Sequence, residues 1–226
     1  QTIVGTANSL PLPTFETNIQ GTWTLLEACR QGDVERVVFA SSDKAYGPHE
    51  QLPYTEDAAL QPIFPYDVSK AAADLIARSY WHTYELPVAV TRFANIYGGG
   101  DLNFSRLIPE AVTAVLDGRP PVIRSDGSPE RDFLYVEDVA AAYIAIANTL
   151  AGGKGAGEAF NAGWGKPNSV REVLELICEV AGSDIEPDIR GTGNPDGEID
   201  RQYLESTKIY EVTGWRPQVD LREGLS

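Results

Sequence analysis

Two short segments of this chain carry side chains that could do chemistry together. Ser41-Ser42-Asp43-Lys44 follows directly on the apolar run Val37-Val38-Phe39-Ala40, and Tyr66 and Lys70 lie four apart in Tyr66-Asp67-Val68-Ser69-Lys70. The first segment offers hydroxyls, a carboxyl and an amine where a buried strand reaches the edge of its sheet. The second sets a phenol and a lysine one helical turn apart on one face. A phenol titrates near pH 10, so it is a poor base at neutrality unless a nearby cation favours the phenolate. Together these groups suffice to oxidise an alcohol, remove a neighbouring proton and expel water. Each alone is ordinary: Tyr-x-x-x-Lys pairs occur on many helix surfaces, and Asp43–Lys44 could be a strand-end ion pair.

The elements that must position them follow from hydrophobic periodicity. Thr17-Asn18-Ile19-Gln20-Gly21-Thr22 leads into a helix ending near Gly32, and the strand at Val37 to Ala40 is apolar on both faces, as in a parallel sheet. A Pro-rich loop from Pro48 to Pro65 precedes a helix from Val68 to about Glu85, and Val88 to Phe93 reads as the next strand. Beyond it we expect helices at Ser105 to Leu116 and Val139 to Leu150, and a strand at Pro121-Val122-Ile123. Ser169-Val170-Arg171-Glu172 has capping-box spacing and opens a helix to about Val180, followed by a loop from Gly182 to Gly197. The alternation predicts an α/β fold with a doubly wound parallel sheet. Residues 1–100 should supply the sheet domain and 101–226 mainly a smaller α/β substrate-binding domain, with about 132–150 returning to the first.

Bulk composition narrows the partners. The net charge of −15 over 226 residues argues against nucleic acid and anionic membranes. No window approaches the roughly 18 apolar residues of a membrane span. Cys29 and Cys178 form no metal-spaced pair, which fits a reduced cytoplasm. The absence of methionine and the abrupt start at Gln1 read as those of a piece of a longer protein.

At this point the residues resemble a family. The chain is similar to the extended short-chain dehydrogenase/reductases, the NAD-dependent epimerase/dehydratases, and within them to nucleotide-sugar 4,6-dehydratases. Ser42, Tyr66 and Lys70 match the family's Ser/Thr-Tyr-Lys triad. Asn95-Ile96-Tyr97-Gly98 matches its substrate-phosphate segment, and Arg131-Asp132-Phe133-Leu134-Tyr135-Val136-Glu137-Asp138-Val139 a further signature. The resemblance implies NAD as cofactor, with Asn18, Ser41, Ser42, Tyr66, Lys70 and Phe93 around it; Asn18 also reads as a plain helix cap. It implies a nucleotide-diphosphate sugar as substrate, held by Asn95, Arg131 and Arg201, since guanidinium grips phosphate bidentately. It further implies a homodimer through helices 22–30 and 68–85.

Asp43-Lys44 bears on the reaction. Epimerases of this family usually carry small or non-ionisable residues there, whereas dehydratases carry an acid and a base: Asp-Glu in the dTDP-glucose type, Asp-Lys in the CDP-glucose type. The segments from Ser42 to Gly47 and from Glu198 to Leu204 both resemble the CDP-glucose type. The family mechanism would have Tyr66, polarised by Lys70, take the C4 hydroxyl proton, Lys44 the C5 proton, and Asp43 protonate the departing C6 oxygen. Moving a proton from lysine to aspartate costs about 9 kcal/mol in water, from pKa values of about 10.4 and 3.9. A dry site narrows that gap, because burial penalises both charged forms. A 4-epimerase or a non-catalytic nucleotide-sugar-binding module are the alternatives. The family's Gly-x-x-Gly-x-x-Gly loop is not found in the chain, and Gly98-Gly99-Gly100 follow the wrong strand to replace it.

Overall fold

The computed structural model describes residues 1–193 and 199–226. Its chain enters through α1 (Val4–Ser9) and α2 (Pro11–Phe15), then a π-helical turn, Glu16–Gln20, that runs without a break into α3 (Gly21–Gln31). The expected lead-in at Thr17 is therefore mid-helix. Asn18 lies inside the π turn and caps nothing, which closes the capping alternative. After β1 (Val37–Ala40), a 3₁₀ turn spans Asp43–Tyr46, and α4 covers Pro65–Tyr84. Pro65 suits a helical first turn, where its missing N–H has no partner to lose. Glu85, in the left-handed conformation at φ 58°, ends the helix.

The sheet continues with β2 (Val88–Phe93) and β3 (Asn95–Tyr97). Then come α5 (Leu107–Leu116), β4 (Val122–Ile123), β5 (Glu130–Arg131), β6 (Phe133–Tyr135) and α6 (Val136–Ala151). β7 (Ala159–Ala162) and β8 (Asn168–Ser169) lead to α7 (Val170–Val180), which starts in the expected capping box, Ser169 and Glu172 satisfying each other's backbone. β9 (Asp188–Ile189), β10 (Arg201–Gln202), α8 (Thr207–Thr213) and α9 (Leu221–Leu225) complete the chain. The predicted loop from Gly182 thus holds a short strand, β9, paired with β4. Its end, Asn194 to Gly197, and Glu198 of the segment expected to resemble CDP-glucose enzymes lie outside the described residues.

Three parallel strands in the order β1-β2-β7 form the central sheet. β2 lies in the middle, buried along its whole length, and its side chains alternate between two cores. Val88 and Val90 pack with Leu26 of α3 and Ala77 of α4, while Ala89 and Phe93 pack with Ala142 and Ile146 of α6. Helices therefore cover both faces, the layering of a doubly wound fold. A separate core, from Ile108 and Val115 of α5 to Leu174 and Ile177 of α7, builds the second lobe. The chain returns to the sheet through α6 and again through β7, which pairs with β2. Ala159-Phe160-Asn161-Ala162 carries no strand pattern because its central Asn161 is fully buried, its amide consumed by tyrosines beneath the sheet.

Candidate active site

A cavity of about 620 Å³ opens where β1 and β2 end. Ligands of open α/β sheets commonly lodge at the carboxyl ends of the strands. Ser41, Ser42, Asp43, Lys44, Tyr66 and Lys70 all line it, as do Phe93 and Asn95. The two segments that could do chemistry therefore meet in one crevice.

Ser42 organises the 3₁₀ turn. Its Oγ accepts from the backbone N–H of Lys44 (3.2 Å) and donates to Asp43 Oδ1 (3.1 Å). Asp43 is 3% exposed, and its Oδ2 has no hydrogen-bond partner among the described residues. Burial pushes its pKa up, against the opposing pull of the Lys44 charge. Tyr66 is buried as well. That burial and the neighbouring Asp43 carboxylate push its phenol up to about 12, while the hydrogen bond with Ser42 pulls the other way. Lys70 is drawn down by burial, and its Nζ donates to the carbonyl oxygen of Ala40 at 3.1 Å. The ammonium thus shares Tyr66's helix face but is claimed by the end of β1. Ser41 Oγ completes the link, donating to the carbonyl oxygen of Lys70 (3.3 Å).

Beneath the turn, Tyr46 and Tyr54 stack with centroids 4.8 Å apart, and Tyr54 donates to the carbonyl oxygen of Gly47 (2.6 Å). Gly47 sits at φ 70°, where a Cβ would come within 2.1 Å of the Gln61 carbonyl oxygen. Only glycine closes the turn there. Tyr46-Gly47, directly after Asp43-Lys44-Ala45, is the sequence signature of that rigid exit.

The substrate-side residues divide. Asn95 lines the cavity and its amide donates to the Asp132 carbonyl oxygen (3.3 Å). Arg131 and Arg201 lie outside the cavity wall on the β5–β10 ribbon, in neighbouring registers. Arg131 donates to the carbonyl oxygens of Glu130 (2.9 Å) and Asp200 (3.3 Å), yet its charge still bears on Asp43. Arg201 pairs with Glu130 at 2.6 Å and is largely exposed. Asn18 is also off the wall: its amide donates to Ser69 Oγ (2.9 Å), bracing α4 beside Lys70. Phe93 forms a wall, meeting Tyr143 edge-on at 5.2 Å. The aspartates of the 131–139 segment are structural. Asp132 accepts from the backbone of Trp164 and Gly165, and Asp138 from that of Gln218 and Val219.

Sequence reasoning passed over Arg106. It lines the cavity, pairs with Asp101 at 3.1 Å, and its charge favours the Tyr66 phenolate. Its one cue was its place just before the apolar start of α5, too weak to separate it from a surface arginine.

Residues 1–163 match the NAD dependent epimerase/dehydratase family, and the chain belongs to that family. It is 36% identical to a low-salt glycan biosynthesis protein of Haloferax volcanii over 94% of its own length and 66% of the relative's. A dTDP-glucose 4,6-dehydratase of Streptomyces venezuelae, solved with NAD bound, superposes with a TM-score of 0.89 at 36% identity, over 100% of this chain and 68% of that one. A UDP-glucose 4-epimerase of Thermotoga maritima, solved with UDP-glucose, gives 0.91 at 31% identity, over 100% and 72%. The chain thus spans about two thirds of the length of these relatives. NAD is the family's cofactor. No described helix is long and apolar enough to cross a membrane.

Proposed function

We propose that the protein is an NAD-dependent nucleotide-sugar 4,6-dehydratase acting on CDP-glucose. One observation carries this reading: Asp43, a carboxyl 3% exposed with one oxygen unpartnered among the described residues, adjoins Lys44 in the cavity wall. Epimerisation at C4 needs only oxidation and reduction there. Loss of water from C5 and C6 needs a base and an acid besides.

NAD, when bound, would supply the acceptor for the hydride lost at C4 and the donor for C6. The donor set fits its nicotinamide ribose: Tyr66, Lys70 and Ser41, which carry a phenol, an ammonium and a hydroxyl, all line the cavity with Phe93. Asn18 would act on that end through α4. In our reading Ser42 holds the C4 oxygen while Tyr66 accepts its proton. The C4 ketone makes the C5 hydrogen acidic, Lys44 removes it, and Asp43 gives its proton to the departing C6 oxygen. Once charged, Lys44 stabilises the enolate beside it. A neutral Asp43 serves twice, because it is the carboxylate form that raises Tyr66. Asn95 would meet the diphosphate in the cavity, and Arg131 and Arg201 would have to reach it from the β5–β10 ribbon outside the wall.

Support for CDP over dTDP is the Asp-Lys order and the segment Asp200-Arg201-Gln202-Tyr203-Leu204. α3 and α4 would form a homodimer contact through Trp23, Leu25 and Leu75, which are 44%, 56% and 56% exposed. The free cysteines fit a cytoplasmic site. The second reading, a 4-epimerase, is favoured by the close superposition on the Thermotoga enzyme. Incubation with CDP-, dTDP-, UDP- and GDP-glucose decides between them. A 4-keto-6-deoxy product, formed fastest from CDP-glucose, is expected; a 4-epimer without loss of water would favour the second reading.

A further inference from the structure

The residues assigned to oxidation and those assigned to elimination stand on different elements: Tyr66 and Lys70 on α4, Asp43 and Lys44 on the 3₁₀ turn. Ser41, Ser42 and Lys70 already link the two at the cavity, and a deeply buried side chain joins them again from beneath. Arg92 on β2 is 1% exposed and forks in both directions. Toward α4, Nε and Nη2 donate to the two oxygens of Asp74 at 2.8 and 2.9 Å. Asp74 lies on the face that carries Lys70 one turn earlier and Tyr66 two turns earlier. Toward the 3₁₀ turn, Nη1 donates to the hydroxyl of Tyr46 (3.0 Å), the turn's last residue, and to the Glu56 carbonyl oxygen (3.3 Å). The guanidinium also stands 4.9 Å over the Tyr46 ring. Tyr46 passes the contact on, its hydroxyl donating to Asn161 of β7 at 2.7 Å.

A buried ion pair is weak evidence for stability, because desolvation offsets much of its attraction, and apolar residues of like volume often serve as well. What apolar residues would not supply is directional contact with two elements at once. We propose that Arg92 is a positioning residue that fixes the spacing between the Tyr66–Lys70 pair and the Asp43–Lys44 pair. The catalytic consequence rests on the dehydratase reading; the mechanical link does not. A lysine would keep the charge but lose the planar fork that reaches Asp74 and Tyr46 together.

The test compares wild type, Tyr46→Phe and Arg92→Lys by backbone amide exchange and by turnover of CDP-glucose. In Tyr46→Phe, exchange over residues 43–47 should rise about tenfold while 66–74 stays within about twofold; in Arg92→Lys both segments should rise together. The strands at 37–40 and 88–91 should stay within about twofold in each variant. Loosening of those strands to the same degree, or of neither catalytic segment, would overturn the link. In turnover, Tyr46→Phe should slow deuterium uptake at C5 about tenfold with C4 oxidation and KM within about twofold, since small misplacement costs rate rather than affinity. Equal slowing of both half-reactions would overturn the positioning role. A wild-type protein that forms no keto-sugar ends the dehydratase reading, and the exchange result still decides the link.

Discussion

The turn carrying Asp43 and Lys44 and the ribbon carrying Arg131 and Arg201 both belong to the proposed site, but they are held by opposite means. The turn is anchored from below by fully buried side chains, Tyr46, Tyr54, Arg92 and Asn161, and is closed by a glycine with no room for a Cβ. The ribbon consists of two-residue strands whose arginines meet Glu130 or main-chain carbonyls at the surface. Groups that move protons need fixed geometry, because a shift of about 1 Å can cost about a hundredfold in rate. Groups that hold a diphosphate need charge and reach, and can exchange a surface carboxylate for a phosphate. Chemistry should therefore fail when the turn is altered, and affinity when the ribbon is.

Lys44→Ala is expected to have the largest effect. Product formation should fall about a thousandfold, within the range for a positioned base, while C4 oxidation persists and reduced cofactor accumulates. Near-normal dehydration would make Lys44 a structural partner of Asp43 and restore the epimerase reading. Tyr66→Phe should cost about a hundredfold in C4 oxidation and leave nucleotide-sugar binding nearly intact, which calorimetry can check. Binding lost along with rate would place Tyr66 among the affinity groups instead.

The pH dependence sharpens the same contrast. Burial raises the pKa of Asp43, so its acid form persists to higher pH than an ordinary aspartate's. The proton it gives to the C6 oxygen exists only in the acid form, so the high-pH limb of elimination should decline as pH rises through that raised pKa. Stability has the same sign: the folded state holds the proton longer than the unfolded chain, so this group's contribution is greatest at low pH and is lost as pH rises. Asp43→Asn should flatten the elimination limb in a pH–rate profile without moving the pH dependence of substrate affinity.

These two regions were not equally legible in the sequence. β1, β2 and α4 were, since an apolar run in a parallel sheet and a three-to-four-residue helical repeat are local patterns. The meeting of Ser42 with Tyr66 was foreseeable because each sits where its element opens onto the sheet's end. The 3₁₀ turn, the return of β7 and the role of Asn18 were not, because they depend on buried polar contacts between distant residues. Arg92 shows the limit plainly: in Val90-Thr91-Arg92-Phe93 it reads as a charge interrupting a strand, and only Asp74 and Tyr46 explain it. The ribbon was the least legible, as its two-residue strands carry no period at all.

The smallest effect is expected from Arg201→Ala, and it tests the comparison from the ribbon's side. Arg201 is exposed and its pairing with Glu130 is a surface contact, of a kind that contributes little to folding. The thermal midpoint of unfolding should therefore not move. If the arginine exchanges Glu130 for a substrate phosphate, its loss removes one charge-assisted contact, and KM for the nucleotide-sugar should rise about tenfold with kcat unchanged. The effect should weaken in high salt, which screens exposed charges. Glu130→Gln separates affinity from chemistry further: with its carboxylate gone, Arg201 no longer has to leave a partner, and KM should fall. A change in kcat in either variant would mean that the ribbon takes part in the chemistry and is not merely a handle for the diphosphate.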